Sequence, residues 1–264
     1  MRVLDLFSGI GGFSLGLERA GMTTVAFCER DPFCRSVLAQ HWPHLPIHED
    51  IRELDGQTYR GSVELVCGGF PCQPFSVAGK QKGKADDRHL WPEMFRVIAQ
   101  SRPCWVVGEN VPGIIGLGLD EVLSDLESEG YACSTFILPA CAVDAPHRRD
   151  RVWVVAHADR KIEPDGSLDE REMARQLVAD AESQRVERHG SAGIEKSQPS
   201  TGPRIPRCDR AGGRAAVWEP EPGLGRMAHG IPHRVDRLRA LGNAVVPQLV
   251  EEIGRLILAC EAAK

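Results

Sequence analysis

A cysteine between two prolines is the residue best suited to covalent chemistry. Cys72 lies in the segment CGGFPCQPFS (67–76), which follows the apolar run Val63–Val66. The run predicts a strand, so we expect Cys72 on a loop at the carboxyl edge of a sheet, where open α/β folds bind ligands. A thiol held rigidly in such a cleft can act as a nucleophile. The alternative is a buried structural cysteine, an interpretation that suits Cys67 at the end of the strand.

A carboxylate and two arginines are expected at the same edge. Glu109, in the segment GENVPG, follows the apolar run Trp105–Val107. There it can acquire a raised pKa and share a proton with a bound base, although an acid at this position can also simply cap a helix. Strand alternation in HRRDRV places Arg149 and Arg151 on one face. Two guanidiniums on one face suit phosphate or carbonyl oxygens, and a solvated charge run is the alternative.

Three further strand ends predict a nucleoside pocket. The segment DLFSGIGGF (5–13) places a glycine-rich turn between a strand and a helix, where backbone N–H groups favour polar or anionic ligand atoms. Glu29 follows the next strand, and its carboxylate can accept both hydroxyls of a ribose. Asp50 and Ile51 follow the third, suited to reading an adenine edge with a carboxylate and a backbone N–H. Glycine turns of this kind are often only tight turns, so the prediction depends on the acids that follow.

The residues around these motifs predict the elements that position them. Over the first 157 residues, strand-like runs alternate with helical stretches: Val3–Phe7, Phe13–Ala20, Thr23–Cys28, Phe33–Ala39, Val63–Cys67, Trp91–Gln100, Trp105–Gly108, Leu119–Glu129 and Val152–Ala156. Such alternation predicts an α/β fold in which helices cover both faces of a mostly parallel sheet. Residues 158–224 are polar and rich in Gly and Pro, which indicates a linker, a small second domain or partial disorder. Order returns in 225–264, where Pro247 opens an apolar helix that can pack back onto the first domain.

The composition excludes several classes of protein. The 264 residues include 42% hydrophobic ones, and the formal net charge is -5. No apolar run reaches the roughly 20 residues of a membrane-spanning helix, and the nine cysteines include no C-x-x-C pair. We therefore expect a cytoplasmic monomer without membrane segment, disulfide framework or metal. With this net charge, a nucleic acid would have to be met by a local basic face.

The motifs together resemble one enzyme family. In chain order, DLFSGIGGF, GGFPCQPFS, GENVPG, HRRDRVW and RALGNAVVP are similar to the motifs of the bacterial and phage C5-cytosine DNA methyltransferases. The resemblance covers residues 1–157 and about 225–264. It implies a Rossmann-like S-adenosylmethionine-dependent methyltransferase fold, with 158–224 as a small target recognition domain.

The resemblance also assigns roles to residues. Cys72 would add to C6 of a flipped-out cytosine, and Glu109 would bind and protonate N3. Arg151, with Arg149, would hold the cytosine O2 and the neighbouring backbone. Ten residues match positions of the S-adenosylmethionine pocket: Phe7, Gly9, Gly11, Gly12, Glu29, Asp50, Ile51, Pro71, Leu90 and Asn243. The implied partner is double-stranded DNA, with a companion restriction endonuclease or with the enzyme acting alone.

The sequence departs from the family pattern in two places. His147 stands where the family has Gln, and the recognition segment 158–224 is short and polar. Two other functions share some of these features. A tRNA cytosine-5 methyltransferase would carry a Cys-Phe-Thr motif that this sequence lacks, and a non-catalytic S-adenosylmethionine-binding partner subunit would have no need of Cys72, Glu109, Arg149 and Arg151 together.

Overall fold

The computed structural model describes residues 1–71, 90–158 and 234–263. All of them belong to one unit, which comprises Met1–Asp165 and Met227–Lys264. Cys72 and nearly all of the predicted recognition segment 158–224 lie outside the described residues. Their assignments stay predictions.

A seven-stranded sheet forms the centre of this unit. Its strands are β1 (Arg2–Leu6), β2 (Thr23–Cys28), β3 (Ile47–His48), β4 (Leu65–Gly68), β5 (Trp105–Asn110), β6 (Tyr131–Leu138) and β7 (Arg151–Ala158). They are arranged in the order β3-β2-β1-β4-β5-β7-β6. Pairing is parallel from β3 to β5, and β7 alone runs antiparallel to its neighbours β5 and β6. The predicted α/β class with a mostly parallel sheet is confirmed.

Helices cover the sheet because its central strands are apolar on both faces. The described helices are α1 (Gly12–Ala20), α2 (Pro32–His41), α3 (Trp91–Ser101), α4 (Leu119–Ser128), α5 (Arg234–Asn243) and α6 (Pro247–Ala262). Every residue of β4 and β5 is buried, as expected for strands covered on both sides. On one face Leu4 and Val106 share a cluster with Met94 of α3. On the other, Phe13 of α1 meets Trp153 edge to face at 5.8 Å.

The C-terminal helix α6 packs closely against α1. A Cβ atom added to Gly16 would lie 2.5 Å from the Pro247 carbonyl oxygen and 2.6 Å from Cβ of Val250. At its far end, Glu261 accepts a hydrogen bond of 2.8 Å from the Trp105 indole N–H. Helix α6 therefore joins the middle of α1 to the sheet, and Val245, which precedes α6, lies against Gly12 at the start of α1.

None of the described helices is long and apolar enough to cross a membrane. Within the described residues, no group of three or more His, Cys, Asp or Glu side chains is arranged to hold a metal ion.

Candidate active site

The carboxyl edge of the parallel strands borders a cavity of about 570 Å³. It lies where the strand order reverses between β1 and β4, the position at which open α/β sheets bind ligands. Eleven predicted site residues line it: Phe7, Gly9, Gly12, Glu29, Asp50, Ile51, Pro71, Leu90, Glu109, Arg151 and Asn243. Gly11 and Arg149 are not among the lining residues. The volume is typical of a small-molecule site.

Backbone hydrogen bonds hold the Glu29 carboxylate at the cavity. The Gly9 N–H donates to Oε2 and the Asp31 N–H donates to Oε1, both at 2.7 Å. These two bonds fix the orientation of the carboxylate. Each oxygen keeps a further lone pair, so together they can accept hydrogen bonds from two adjacent hydroxyl groups.

The glycine turn adopts backbone conformations that ordinary residues avoid. Phe7, Gly9 and Gly11 have φ angles of 53°, 54° and 84°. A non-glycine residue in this region is strained by about 1–3 kcal/mol, and such strain clusters at ligand sites. Gly11 has a second reason to be glycine, because a Cβ atom there would lie 2.5 Å from the Trp42 ring. Gly11 thus shapes the turn through packing rather than by lining the cavity.

The buried carboxylate of Asp5 binds the start of the helix that follows this turn. Asp5 is completely buried in β1, and its Oδ2 accepts hydrogen bonds from the Ser14 hydroxyl at 2.7 Å and the Ser14 N–H at 3.2 Å. Burial raises the pKa of Asp5 to about 7, and the bonds from Ser14 oppose that rise. Asp5 therefore connects the sheet to the first turn of α1. Sequence reasoning treated it only as part of the motif.

The turn that contains Asp50 and Ile51 forms another part of the cavity wall. The Arg52 N–H donates to Asp50 Oδ1 at 3.0 Å, and the Glu53 N–H donates to the Asp50 carbonyl oxygen at 3.1 Å. The side chain of Ile51 is 3% exposed and belongs to the core cluster. The buried isoleucine thus anchors a turn whose carboxylate borders the cavity.

Glu109 and Arg151 form an ion pair in the cavity wall. Glu109 is the last residue but one of β5 and is 8% exposed, and its Oε1 lies 2.7 Å from Nε of Arg151 at the start of β7. Burial raises the pKa of Glu109, while the charges of Arg151 and Arg149 oppose that rise. A carboxyl group balanced in this way can hold a proton and donate it to a ring nitrogen.

The segment that leads to Cys72 lies beside this pair. A Cβ atom on Gly69 would lie 3.2 Å from Oε2 of Glu109. The Asn110 side-chain amide donates to the Phe70 carbonyl oxygen at 2.9 Å, which fastens the segment to the end of β5. Sequence reasoning did not select Asn110, although its position beside Glu109 in GENVPG was a signal.

Comparison with known proteins decides the family. The model of the C-5 cytosine-specific DNA methylases matches residues 1–201, more than half of the chain. The chain belongs to this family. The Type II methyltransferase M2.BsuMI of Bacillus subtilis is 38% identical over 165 residues, which are 59% of this chain and 42% of that protein. M.AquIA of Picosynechococcus sp. is 33% identical over 177 residues, 59% of this chain and 71% of that protein.

Solved structures show the same fold. One is a protein encoded within an E. coli prophage and named a putative DNA modification methyltransferase. It aligns with a TM-score of 0.52 and 26% identity, covering 63% of this chain and 49% of that one. The S. pombe Dnmt2 methyltransferase aligns with a TM-score of 0.52 and 26% identity, covering 66% and 55%. The chain spans 42% of the length of M2.BsuMI and also 42% of M.HgiCII of Herpetosiphon aurantiacus. The Rossmann-like methyltransferase fold is confirmed.

Arg149 forms hydrogen bonds with backbone carbonyls of the chain itself. Its Nη2 donates to the carbonyl oxygens of Gly242 and Ala244, both at 2.7 Å. These bonds attach the start of β7 to the segment that places Asn243 at the cavity. The predicted contact of Arg149 with the cytosine is untested, and the observed contacts give it a supporting role.

Two thiols of the described residues line the cavity. Cys28 and Cys34 lie in its wall, and burial together with the charge of Glu29 raises both of their pKa values to about 12. Only a thiolate is an effective nucleophile, so both are chemically quiet at neutral pH. Cys67 is completely buried in β4, with a pKa raised by burial, which agrees with its expected structural role.

Proposed function

We propose that this protein is a DNA (cytosine-5-)-methyltransferase that takes its methyl group from S-adenosylmethionine. The observation that carries the proposal is one cavity with two halves. Glu29 and Asp50 line one half, and buried Glu109 with its partner Arg151 lines the other, next to the segment that leads to Cys72. Family membership and relatives named Type II methyltransferases support the same activity.

The first half suits S-adenosylmethionine. Glu29 keeps two acceptor positions for the ribose hydroxyls, and Asp50 with the Ile51 N–H matches the amino group and N1 of adenine. The carboxylates that border this half also suit a positively charged cofactor. S-adenosylmethionine bound there supplies an electrophilic methyl group, which C5 of the cytosine takes up.

The second half prepares the cytosine. C5 becomes nucleophilic only when a thiolate adds to C6, and we assign that addition to Cys72. Glu109 donates its proton to N3, which the raised pKa of this buried carboxyl favours. Arg151 holds O2 and balances the charge that Glu109 acquires. As C5 takes up the methyl group, N3 returns its proton to Glu109. Loss of the C5 proton to water then expels the Cys72 thiolate and restores the aromatic ring.

The substrate must present an unstacked cytosine, because C6 and N3 are inaccessible within a duplex. We therefore infer double-stranded DNA from which one base is flipped, with residues 158–224 reading the sequence. We also infer a role in modification for a restriction system with a companion endonuclease, which similarity to Type II methyltransferases supports.

The test is transfer of tritium from labelled S-adenosylmethionine to mixed-sequence duplex DNA. Cys72→Ser should lower the label by more than about 100-fold, because serine is a far weaker nucleophile. Cys34→Ser is the matched control, since it removes a cavity thiol that is protonated at neutral pH. Both variants should bind S-adenosylhomocysteine like the wild type in calorimetry.

Each alternative has its own outcome. Label that persists in Cys72→Ser would refute the covalent mechanism. Label in tRNA but not in DNA would move the substrate to tRNA. Tight binding of S-adenosylhomocysteine without any methyl transfer would favour a non-catalytic partner subunit.

A further inference from the structure

An arginine outside the cavity binds the turn that carries Asp50 and Ile51. Arg96, on α3, donates from Nη2 to the Ile51 carbonyl oxygen at 2.6 Å and from Nη1 to the Leu54 carbonyl oxygen at 2.9 Å. Its Nε forms an ion pair of 2.8 Å with Glu93. One planar guanidinium therefore joins two carbonyls of the turn and keeps its own orientation through a carboxylate.

The next turn of α3 extends the same attachment. Gln100 Oε1 accepts hydrogen bonds from Arg96 Nη1 and from the Gly56 N–H, both at 2.9 Å. A Cβ atom on Gly56 would lie only 2.8 Å from the Val97 carbonyl oxygen. The backbone from Ile51 to Gly56 is thus held against α3 by directed bonds along its whole length.

These contacts lie directly behind the groups proposed to read the base. The carbonyl that Arg96 binds belongs to Ile51 itself, whose N–H is assigned to N1 of adenine. A change in its position would move that N–H and the neighbouring Asp50 carboxylate together. The cavity wall formed by Gly9 and Glu29 belongs to other strand ends and does not depend on Arg96.

We infer that Arg96 is a positioning residue that sets the selectivity of this methylase for the adenine of its cofactor. It acts through the Ile51 and Leu54 carbonyls and does not touch the ligand. The inference rests on the proposed function, because it takes S-adenosylmethionine as the ligand.

The experiment compares two ligands that differ only in the base. S-adenosylhomocysteine offers an amino group and an acceptor N1, whereas S-inosylhomocysteine offers a carbonyl and a donor N1, so the Asp50 turn can match only the first. In calorimetry, Arg96→Met should raise the Kd of S-adenosylhomocysteine roughly tenfold and that of the inosine analogue less than about threefold. Arg96→Lys keeps a single donor nitrogen without the planar fork, so its Kd for S-adenosylhomocysteine should fall between those of the wild type and Arg96→Met, while kcat at saturating cofactor stays within about twofold.

A matched control exists on α6. Arg255 also pairs with a glutamate three residues before it, at 3.0 Å from Glu252, and does not line the cavity. Arg255→Met should leave both Kd values unchanged. The ratio of the two Kd values is independent of the folded fraction, so a less stable Arg96 variant still gives an answer.

The remaining outcomes separate the two proposals. Equal weakening of both ligands, or no change in either, would overturn the role of Arg96 while leaving the methyltransferase intact. A wild type that binds both ligands equally would overturn it too, because the turn would not read the base. A wild type that binds neither would refute the proposed function, and with it this inference.

Discussion

Replacing Asp5 by asparagine removes a titratable group from beneath the glycine turn. Burial raises the pKa of Asp5 from 3.8 to about 7 in the folded protein. Between these values the folded protein holds a proton that the unfolded chain has already released. The stability that this proton provides is fully present below about pH 4 and is lost as the pH rises through about 7. Asparagine does not titrate, and its side-chain oxygen can still accept the bonds from Ser14.

The size of the effect follows from the interval between the two pKa values. Within that interval, each rise of one pH unit lowers the free energy of unfolding by about 1.4 kcal/mol. Between about pH 5.5 and the pKa of about 7 lie roughly 1.5 pH units. On going from about pH 5.5 to about pH 8.5, the free energy of unfolding of the wild type should therefore fall by about 2 kcal/mol relative to that of the variant. For a protein of this size, that corresponds to roughly 4–8 °C in Tm.

Thermal unfolding at the two pH values measures this difference directly. The Tm of Asp5→Asn minus that of the wild type should rise by that amount between the lower and the higher pH. Asp120→Asn, which changes an exposed acid at the start of α4, should show almost no such rise. Ser14→Ala should move the loss of stability to higher pH, because it removes a bond that lowers the pKa of Asp5. A Tm difference for Asp5→Asn that is independent of pH would refute the reasoning.

Three other variants test the site and its support. Arg151→Met removes the group assigned to hold the cytosine O2, so the rate of methyl transfer should drop at least about tenfold. It also removes a charge that lowers the pKa of Glu109, so the remaining activity should persist to higher pH than in the wild type; an unchanged alkaline limb of the pH–rate profile would contradict the pairing. Gly16→Val forces a side chain into α6 and should lower the free energy of unfolding by about 3 kcal/mol in urea titrations. Gly116→Ala, with no atom within 4 Å of the added Cβ, is its control. Asn110→Ala frees the segment before Cys72, so kcat should decrease while the Kd of S-adenosylhomocysteine stays within about twofold; a parallel loss of binding would indicate a general structural defect.

Local patterns predicted the buried elements well. The apolar run Thr23–Cys28 predicts β2 with its observed bounds, because a strand covered on both faces is a nearly continuous hydrophobic run. The edge strand β6 was missed, since several of its residues are half-exposed and Ser134 and Thr135 interrupt its apolar residues. Helix α5 was also missed, because Val235, Leu238 and Leu241 remain exposed and bury no apolar stripe.

Eleven of the cavity-lining residues were predictable because they lie in motifs that cluster at strand ends, and strand ends converge at one edge. Their supports were not predictable, because they are contacts between residues distant in sequence. Arg149 reaches carbonyls more than 90 residues away. The raised pKa of Asp5 depends on how completely it is buried, which a single sequence does not specify.

The single antiparallel strand gives this protein a distinctive mutational sensitivity. Asn110 pairs with Val152 across the β5–β7 ladder, so Glu109 at the end of one strand meets Arg151 at the beginning of the other. A slip of one residue in that ladder would carry Arg151 to the opposite face of the sheet. Substitutions far along β6 or β7 that loosen the register should therefore abolish activity as completely as changes in the cavity. In a saturation screen for loss of function, such positions would be indistinguishable from catalytic ones until binding and chemistry are assayed separately.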